Sequence, residues 1–301
     1  MRGSIDIEAF NGLPTTSFWE CKEYQRTVKR IETSNKVCSK LARLIYDRAE
    51  IERLYSENLK FWSQRVLKES SLEYGTSISS LWKGLVKEAE AVSNAHESIN
   101  DIIKKEIHVC IKQWQKDHYH KTTFRPQTLK ETKQLEHDFE QVQKPWSKRL
   151  TKVNQAKKDY HQACQTERSL QVQVQNARTD PAGTAEQKVQ EKLAKAEKEM
   201  ERAKLAYTNA LSELDQDNPR YLEEMTRVYN GSQELERERL KFFKSVFSDF
   251  SRALNVTTKA DFTSIYGNLD QCISSGNVEA DLEWWSANHG VDMPVSFPKF
   301  E

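Results

Sequence analysis

Apolar residues recur at intervals of three and four along most of this 301-residue chain, the spacing that gathers them on one side of an α-helix. Residues 1–17 lack the pattern, carry Gly12 and Pro14, and read as a flexible N-terminal arm. From Phe18 to about Ser70, the positions Val28, Ile31, Cys38, Leu41, Ile45, Leu59, Trp62 and Val66 predict a first helix with a wide apolar face. A break is expected at Tyr74-Gly75. Ile78, Trp82, Leu85, Ala89, Val92, Ile99, Ile103, Ile107, Cys110 and Trp114 predict helix again over 77–118. The pattern stops at Thr122-Thr123-Phe124-Arg125-Pro126, where a proline and two β-branched residues disfavour helix. It resumes near Leu129, so 77–178 reads as one helix interrupted by a loop at 120–130. Asp180-Pro181-Ala182-Gly183 is the clearest turn, with Thr184 a candidate cap for a further helix over 186–254.

That last helix has the strongest periodicity. Val189, Leu193, Ala196, Met200, Ala203, Tyr207, Ala210 and Leu214 alternate by four and three, a heptad seam, and the period continues through Tyr221, Met225, Val228, Leu235 and Phe242. A helix over 186–254 would be on the order of 100 Å long at roughly 1.5 Å per residue. A compact chain of this size has a radius of gyration of roughly 19 Å. The pattern therefore predicts an elongated all-α molecule. Such a rod has little interior, yet 18–70 and 77–118 are apolar over more than one stripe. Helices apolar on a wide arc need cover on several sides, which predicts a homodimer. Pro145 and Pro219 fall inside helical stretches and are expected to kink them. Around Pro145 the apolar spacing runs 142, 146, 150, a coiled-coil stutter. From about Asn255 the chain changes character, with Gly267, Gly276, Gly290, Pro294 and Pro298 among Trp284, Trp285, Phe297 and Phe300. Residues 255–301 read as a segment packing across the dimer.

Composition sharpens this picture. Charged residues make up 30% of the chain, while Gly and Pro number only 9 and 7. Seven Trp, ten Tyr and twelve Phe set it apart from a disordered chain. Five scattered cysteines, Cys21, Cys38, Cys110, Cys164 and Cys272, form no CxxC pair. That pattern argues against a disulfide framework or zinc site and fits a reducing, cytosolic compartment. No basic-then-apolar leader opens the sequence, and no apolar run approaches the roughly 20 residues that span a bilayer.

The net charge of only +1 speaks against a nucleic-acid binder, but it hides segregation. Residues 104–133 carry Lys104, Lys105, Lys112, Lys116, Lys121, Arg125, Lys130 and Lys133, a local net of +5. Residues 144–168, with Lys144, Lys148, Arg149, Lys152, Lys157, Lys158 and Arg168, carry another +5, whereas 213–240 carries −4. At about 100° per residue, Lys105, His108, Lys112 and Lys116 share one stripe, opposite Ile103, Ile107, Cys110 and Trp114. A basic face backed by a buried one suits adhesion to an anionic leaflet, at roughly 1 kcal/mol per Lys or Arg. In the loop at 120–130, Phe124 and Leu129 stand among basic residues. An apolar tip with basic flanks can wedge into a headgroup layer.

Several strings resemble the F-BAR domain of the pacsin (syndapin) family. They are FWECKEYQRTVKRIE from Phe18, RAEIERLYSENL at 48–59, QKPWSKRL at 143–150, ELDQDNPRYLEEM at 213–225, ERLKFFKSVF at 238–247 and DLEWWSANHG at 281–290. The resemblance covers nearly the whole chain from Phe18. It implies an elongated antiparallel helical-bundle crescent dimer with long coiled-coil-like arms. Its basic concave surface would bind phosphatidylserine and phosphoinositide membranes, and a wedge loop would insert into the bilayer. The activity implied is sensing or generating curvature, as in tubulation, during endocytosis and cytoskeleton-linked trafficking. The location implied is cytoplasmic, peripheral on plasma and endosomal membranes. Arg53 matches a basic concave position of the family, Glu50 stands where relatives often carry a basic residue, and Lys148, Arg149 and Lys152 match the basic arm. The wedge loop is short and hydrophobic in the family; here it is longer and reads TTFRPQTLKET, with Phe124 its apolar tip. Full-length relatives recruit dynamin and actin-nucleation factors through a Src-homology-3 domain; the sequence to Glu301 shows none, so the expectation is either that it is a fragment or that this role is absent.

The membrane-contact residues expected are therefore Arg53, Lys105, Lys112, Lys116, Lys121, Arg125, Lys130, Lys133, Lys148, Arg149 and Lys152, with Phe124 and Leu129 for insertion. No cofactor or metal is expected. An enzyme is the first rival, but no P-loop, GxSxG or HExxH motif occurs. A coiled-coil scaffold without lipid binding is the stronger one; it accounts for the heptads and not for the segregated charge.

Overall fold

In a computed structural model the described residues are 16–70, 76–123, 128–178, 186–258 and 260–297. The expected breaks at Tyr74-Gly75 and at Asp180 to Gly183, the cap at Thr184, and the loop residues Phe124 to Gln127 lie outside them. Among these residues seven α-helices follow in order: α1 (Gln25–Glu69), α2 (Thr76–Ile102), α3 (Val109–His118), α4 (Lys130–Arg178), α5 (Glu186–Leu254), α6 (Ala260–Ser274) and α7 (Val278–His289). A π-helical turn, Ile103–His108, joins α2 to α3, and a 3-10 turn, Val256–Thr258, precedes α6. Among the described residues the only extended pairing is one antiparallel bridge, Lys121 with Leu129.

The chain divides into two compact units. The first comprises the residues up to Thr33 with His120–Arg237; the second comprises Ser34–Tyr119 with the residues from Glu238 onward.

The first unit is organised by aromatic rings. Phe139 is fully buried, stacks on Tyr24 at 5.0 Å and meets the edge of Phe18 at 6.0 Å. Phe18 also touches Tyr229 at 5.3 Å. These contacts replace helix with turns over 18–24. The helical spacing expected from Phe18 gives way there because Phe18 and Trp19 pack against different neighbours and Lys22 takes a positive φ of 71°. Further along, Val153 packs with Ala210 and Leu214, flanked by Trp146, Leu150 and Tyr207. The seam of α5 buries Ala210, Leu214, Tyr221, Met225 and Val228. Beyond Val228 it departs from the expected register: Leu235 is 41% exposed, and Ser232 and Glu236 take the inner positions. Those polar groups are answered, Ser232 Oγ donating to the Tyr229 carbonyl at 2.6 Å and Glu236 pairing with Arg30 at 3.4 Å. Both α4 and α5 run through their internal prolines, Pro145 and Pro219, as continuous helix.

The core of the second unit joins Cys38, Leu41, Ala42, Ile45 and Ala49 of α1 to Ile99, Ile103, Ile107 and Ile111, and to Phe243, Val246 and Ala253 of α5. Trp114 stacks on Phe242 at 4.6 Å. After Ala49 the inner face of α1 turns polar, with Glu52, Ser56 and Ser63 buried while Trp62 is 42% exposed. Small side chains let helices approach closely, and the polar groups find partners: Ser56 and Ser93 share a 2.9 Å hydrogen bond, and Glu52 meets His96 Nδ1 at 2.5 Å. The C-terminal helices lie against α2. Ser77 N–H donates to Asp281 at 2.9 Å, and a Cβ on Gly84 would come within 3.1 Å of Cys272, so a larger residue there would make α6 give by a few tenths of an ångström. Asn277 caps α7 by accepting from the Ala280 N–H at 3.1 Å. Val291, Val295 and Phe297, beyond α7, are exposed in the single chain.

Candidate membrane-contact residues

In the second unit the basic stripe is carried by the π-helical turn and α3. Ile103, Ile107 and Ile111 are buried, whereas Cys110 is exposed. A regular helix would have brought Cys110 inward. The π-helical turn inserts a residue into the helical period, so the inner ridge advances by fours and Cys110 is carried outward. Lys105, Lys112 and Lys116 lie on the exposed side. Lys105 is held by Asp101 at 2.8 Å, while Lys112 and Lys116 meet no carboxylate among the described residues. His108 adds no charge to the stripe at neutral pH, because burial, with Lys112 beside it, lowers the imidazole below its ordinary value.

Arg53 is half-exposed and already committed. It bonds Glu50 at 2.8 Å and Glu57 at 2.5 Å. Lys104 pairs with the same Glu50 and lies 5.0 Å from the Tyr46 ring. The Lys104 hydrogen bond first, then that of Arg53, hold the Glu50 carboxyl at about 2, against an ordinary 4.5. A depressed carboxyl stabilises the pairing above its unfolded pKa and loses it only as pH falls through the folded one. Across pH 5 to 8, then, Glu50 stays ionised between Lys104 and Arg53 and offsets their charge. Replacing Glu50 with Gln is expected to unmask one cationic charge per protomer, two per dimer, and to tighten binding to phosphatidylserine vesicles at low salt roughly thirtyfold, at about 1 kcal/mol per unmasked charge. Unchanged or weaker co-sedimentation would show that Arg53 does not face lipid.

In the first unit two groups of basic residues occur. One surrounds the base of the 120–130 loop. His120 Nδ1 contacts Glu131 at 2.7 Å, Lys130 N–H donates to the His120 carbonyl at 2.7 Å, and Thr122 N–H to the Thr128 carbonyl at 2.9 Å. Around this loop base Lys121, Lys130 and Lys133 are exposed. Leu129, expected to insert, is 3% exposed. Its side chain belongs to the protein interior and cannot enter a bilayer without leaving a cavity, so the insertion role is withdrawn from it. Phe124 and Arg125 lie outside the described residues.

The other group is on α4. Arg149 pairs with Asp217 at 3.3 Å, and Lys152 with Glu213 at 2.8 Å. Glu213 is lowered in consequence, by Lys152 first and then by Arg149. These two cations therefore bridge to α5, and their charge is largely spent. Lys148, Lys157 and Lys158 are exposed without a carboxylate partner among the described residues. Lys157 and Lys158 belong to the +5 stretch but were missed as individual candidates; only the α4–α5 pairing shows which lysines it leaves free.

Among the described residues no helix is long and apolar enough to cross a membrane, and no group of three His, Cys, Asp or Glu side chains could hold a metal ion.

Residues 23–98 match the family described as Fes/CIP4, and EFC/F-BAR homology domain. The whole chain aligns with protein kinase C and casein kinase substrate in neurons protein 2 of Gallus gallus, at 36% identity and over 67% of that protein. It aligns likewise with protein 1 of Danio rerio, at 37% identity over 68%. The solved EFC/F-BAR domain of Drosophila Syndapin/PACSIN superposes with a TM-score of 0.86 at 37% identity, covering 94% of this chain and 99% of that one. The chain belongs to the PACSIN/syndapin family of F-BAR domains. It spans about two thirds of the length of these curated relatives. F-BAR domains form dimers and bind membranes, and the PACSIN family is one of membrane-binding adaptors. As a PACSIN/syndapin F-BAR domain, the chain senses or generates membrane curvature, as in tubulation during endocytosis. The scaffold reading without lipid binding is not favoured.

Proposed function

We propose that this F-BAR domain acts as a homodimer on the cytoplasmic face of the plasma membrane and of endosomes, where it grips acidic phospholipids, phosphatidylserine and phosphoinositides among them. The observation that carries this reading is the pair Lys112 and Lys116, exposed without carboxylate partners among the described residues, on a helix whose opposite ridge, Ile103, Ile107 and Ile111, is buried. The packed helix fixes where each lysine's backbone lies, so meeting a phosphate orders only the side chain. The exposed lysines of the other unit, Lys121, Lys130, Lys133, Lys148, Lys157 and Lys158, support the same chemistry. Arg53, Lys105, Arg149 and Lys152 are secondary contacts, since each already has an anionic neighbour. Co-sedimentation with phosphatidylserine vesicles should exceed that with neutral vesicles and fade as salt rises, the Debye length shrinking from about 10 Å at 0.1 M to about 3 Å at 1 M. Equal binding to both vesicle types would remove the electrostatic part of the reading.

The loop at 120–130 is proposed as a wedge with Phe124 as its apolar tip and Arg125 on its flank. Phe124→Glu should lower tubulation of vesicles, seen by electron microscopy, while light scattering still reports a dimer. Tubulation at the parent level would sink the wedge.

A further inference from the structure

We propose that Gln143 and Tyr221 form a positioning hub that fixes the path α4 and α5 take past their internal prolines, and through it the membrane radius this domain prefers. The second clause rests on the proposed function; the first does not.

Proline has no N–H, so Pro145 leaves the Gln141 carbonyl without its helical donor, and Pro219 does the same to Asp215. Each helix is most compliant there. The two points lie abreast: Trp146 Nε1 donates to Asn218 Oδ1 at 2.8 Å, and the Trp146 ring stacks on Tyr221 at 4.2 Å, tilted by 7°. Across this level runs the turn that precedes α1. Gln143 Oε1 accepts the Lys22 N–H at 2.6 Å, and Gln143 Nε2 donates to the Glu20 carbonyl at 3.2 Å and to Tyr221 Oη at 3.0 Å. The Tyr221 hydroxyl donates in turn to the Trp19 carbonyl at 2.9 Å. Gln143 and Tyr221 are 5% and 4% exposed, so water does not compete for these bonds.

Lys22 pays for the arrangement with a φ of 71°, and it is the only non-glycine residue in that region among those described. A lysine stays there only when its surroundings over-determine it. The cross-links therefore do more than close a turn. They tie three segments together where two helices are weakest, and a buried, satisfied network permits one geometry. With the hub removed, the hairpin should sample a range of angles about the prolines.

Spin labels introduced as non-natural residues at Lys133 and Gln165, on either side of Pro145, read the angle without lipid. In Gln143→Leu and in Tyr221→Phe the distance distribution should broaden or shift beyond its parental width, while light scattering still reports the parental mass. A hub that only adds stability would lower the melting temperature and leave the distribution unmoved, and that result in both variants overturns the proposal. On phosphatidylserine vesicles the same variants should bind as the parent does but draw tubules whose diameters shift by more than the parental spread. Parental diameters at parental binding would also overturn it. If the parent itself fails to bind, the proposed function fails and the spin-label distances still decide the hub.

Discussion

The double variant Lys112→Glu, Lys116→Glu is expected to lose adhesion to phosphatidylserine vesicles while remaining a folded dimer. A dimer presents four of these side chains. At roughly 1 kcal/mol each near an anionic leaflet, their loss removes about 4 kcal/mol, close to a thousandfold in affinity. Reversing the sign adds repulsion, so the effect exceeds that of alanine. The fold should not suffer, because both residues are exposed and the isoleucine ridge that anchors this helix lies on its other side. Co-sedimentation at low salt measures the loss, and light scattering with circular dichroism checks the dimer and its helices. Parental adhesion by the folded variant would mean that lipid is met by another face.

The second large effect concerns the dimer. Leu44→Asp with Ile51→Asp should convert it to a monomer. In the single chain Leu44 is 66% and Ile51 59% exposed, one heptad apart on the same side of α1. The opposite side, with Leu41, Ala42, Ile45 and Ala49, is already buried. A helix apolar on both sides needs a second cover, and in a family whose domains dimerise that cover is a second copy. Burying such a side chain contributes roughly 1.5–3 kcal/mol, and twofold symmetry counts each position twice. Four carboxylates in their place also bring uncompensated desolvation. Light scattering at micromolar concentration should report half the parental mass, and vesicle binding should fall with the lost bivalency. A dimer that survives would place the interface elsewhere.

The two variants separate the sources of adhesion. The lysine pair removes charge from an intact dimer; the α1 pair removes the dimer from intact charge. High salt should imitate the first and leave the second untouched, since apolar burial is not screened.

The helices were legible because each needs only local periodicity. The heptads of α5 and the isoleucines of α2 repeat the spacing of the helix that carries them. Where expectation missed, a neighbour had intervened. Cys110 lies outward because a π-helical turn changes the period just before it. Leu235 is exposed and Glu236 buried because Arg30, two hundred residues away in sequence, supplies a partner. Helix was expected from Phe18, but rings of α4 and α5 draw Phe18 and Trp19 into a turn.

The chain's own pattern determined an all-helical build, the need for a second copy and two stretches of excess positive charge, since these follow from spacing and counts. The tertiary structure alone decided which charges are available. Arg53, Arg149 and Lys152 meet carboxylates brought from elsewhere in the chain or from the next helical turn, Leu129 turns inward, and Lys112 and Lys116 meet none among the described residues. A charge's worth depends on the distance to its nearest opposite, and that distance is a property of the fold.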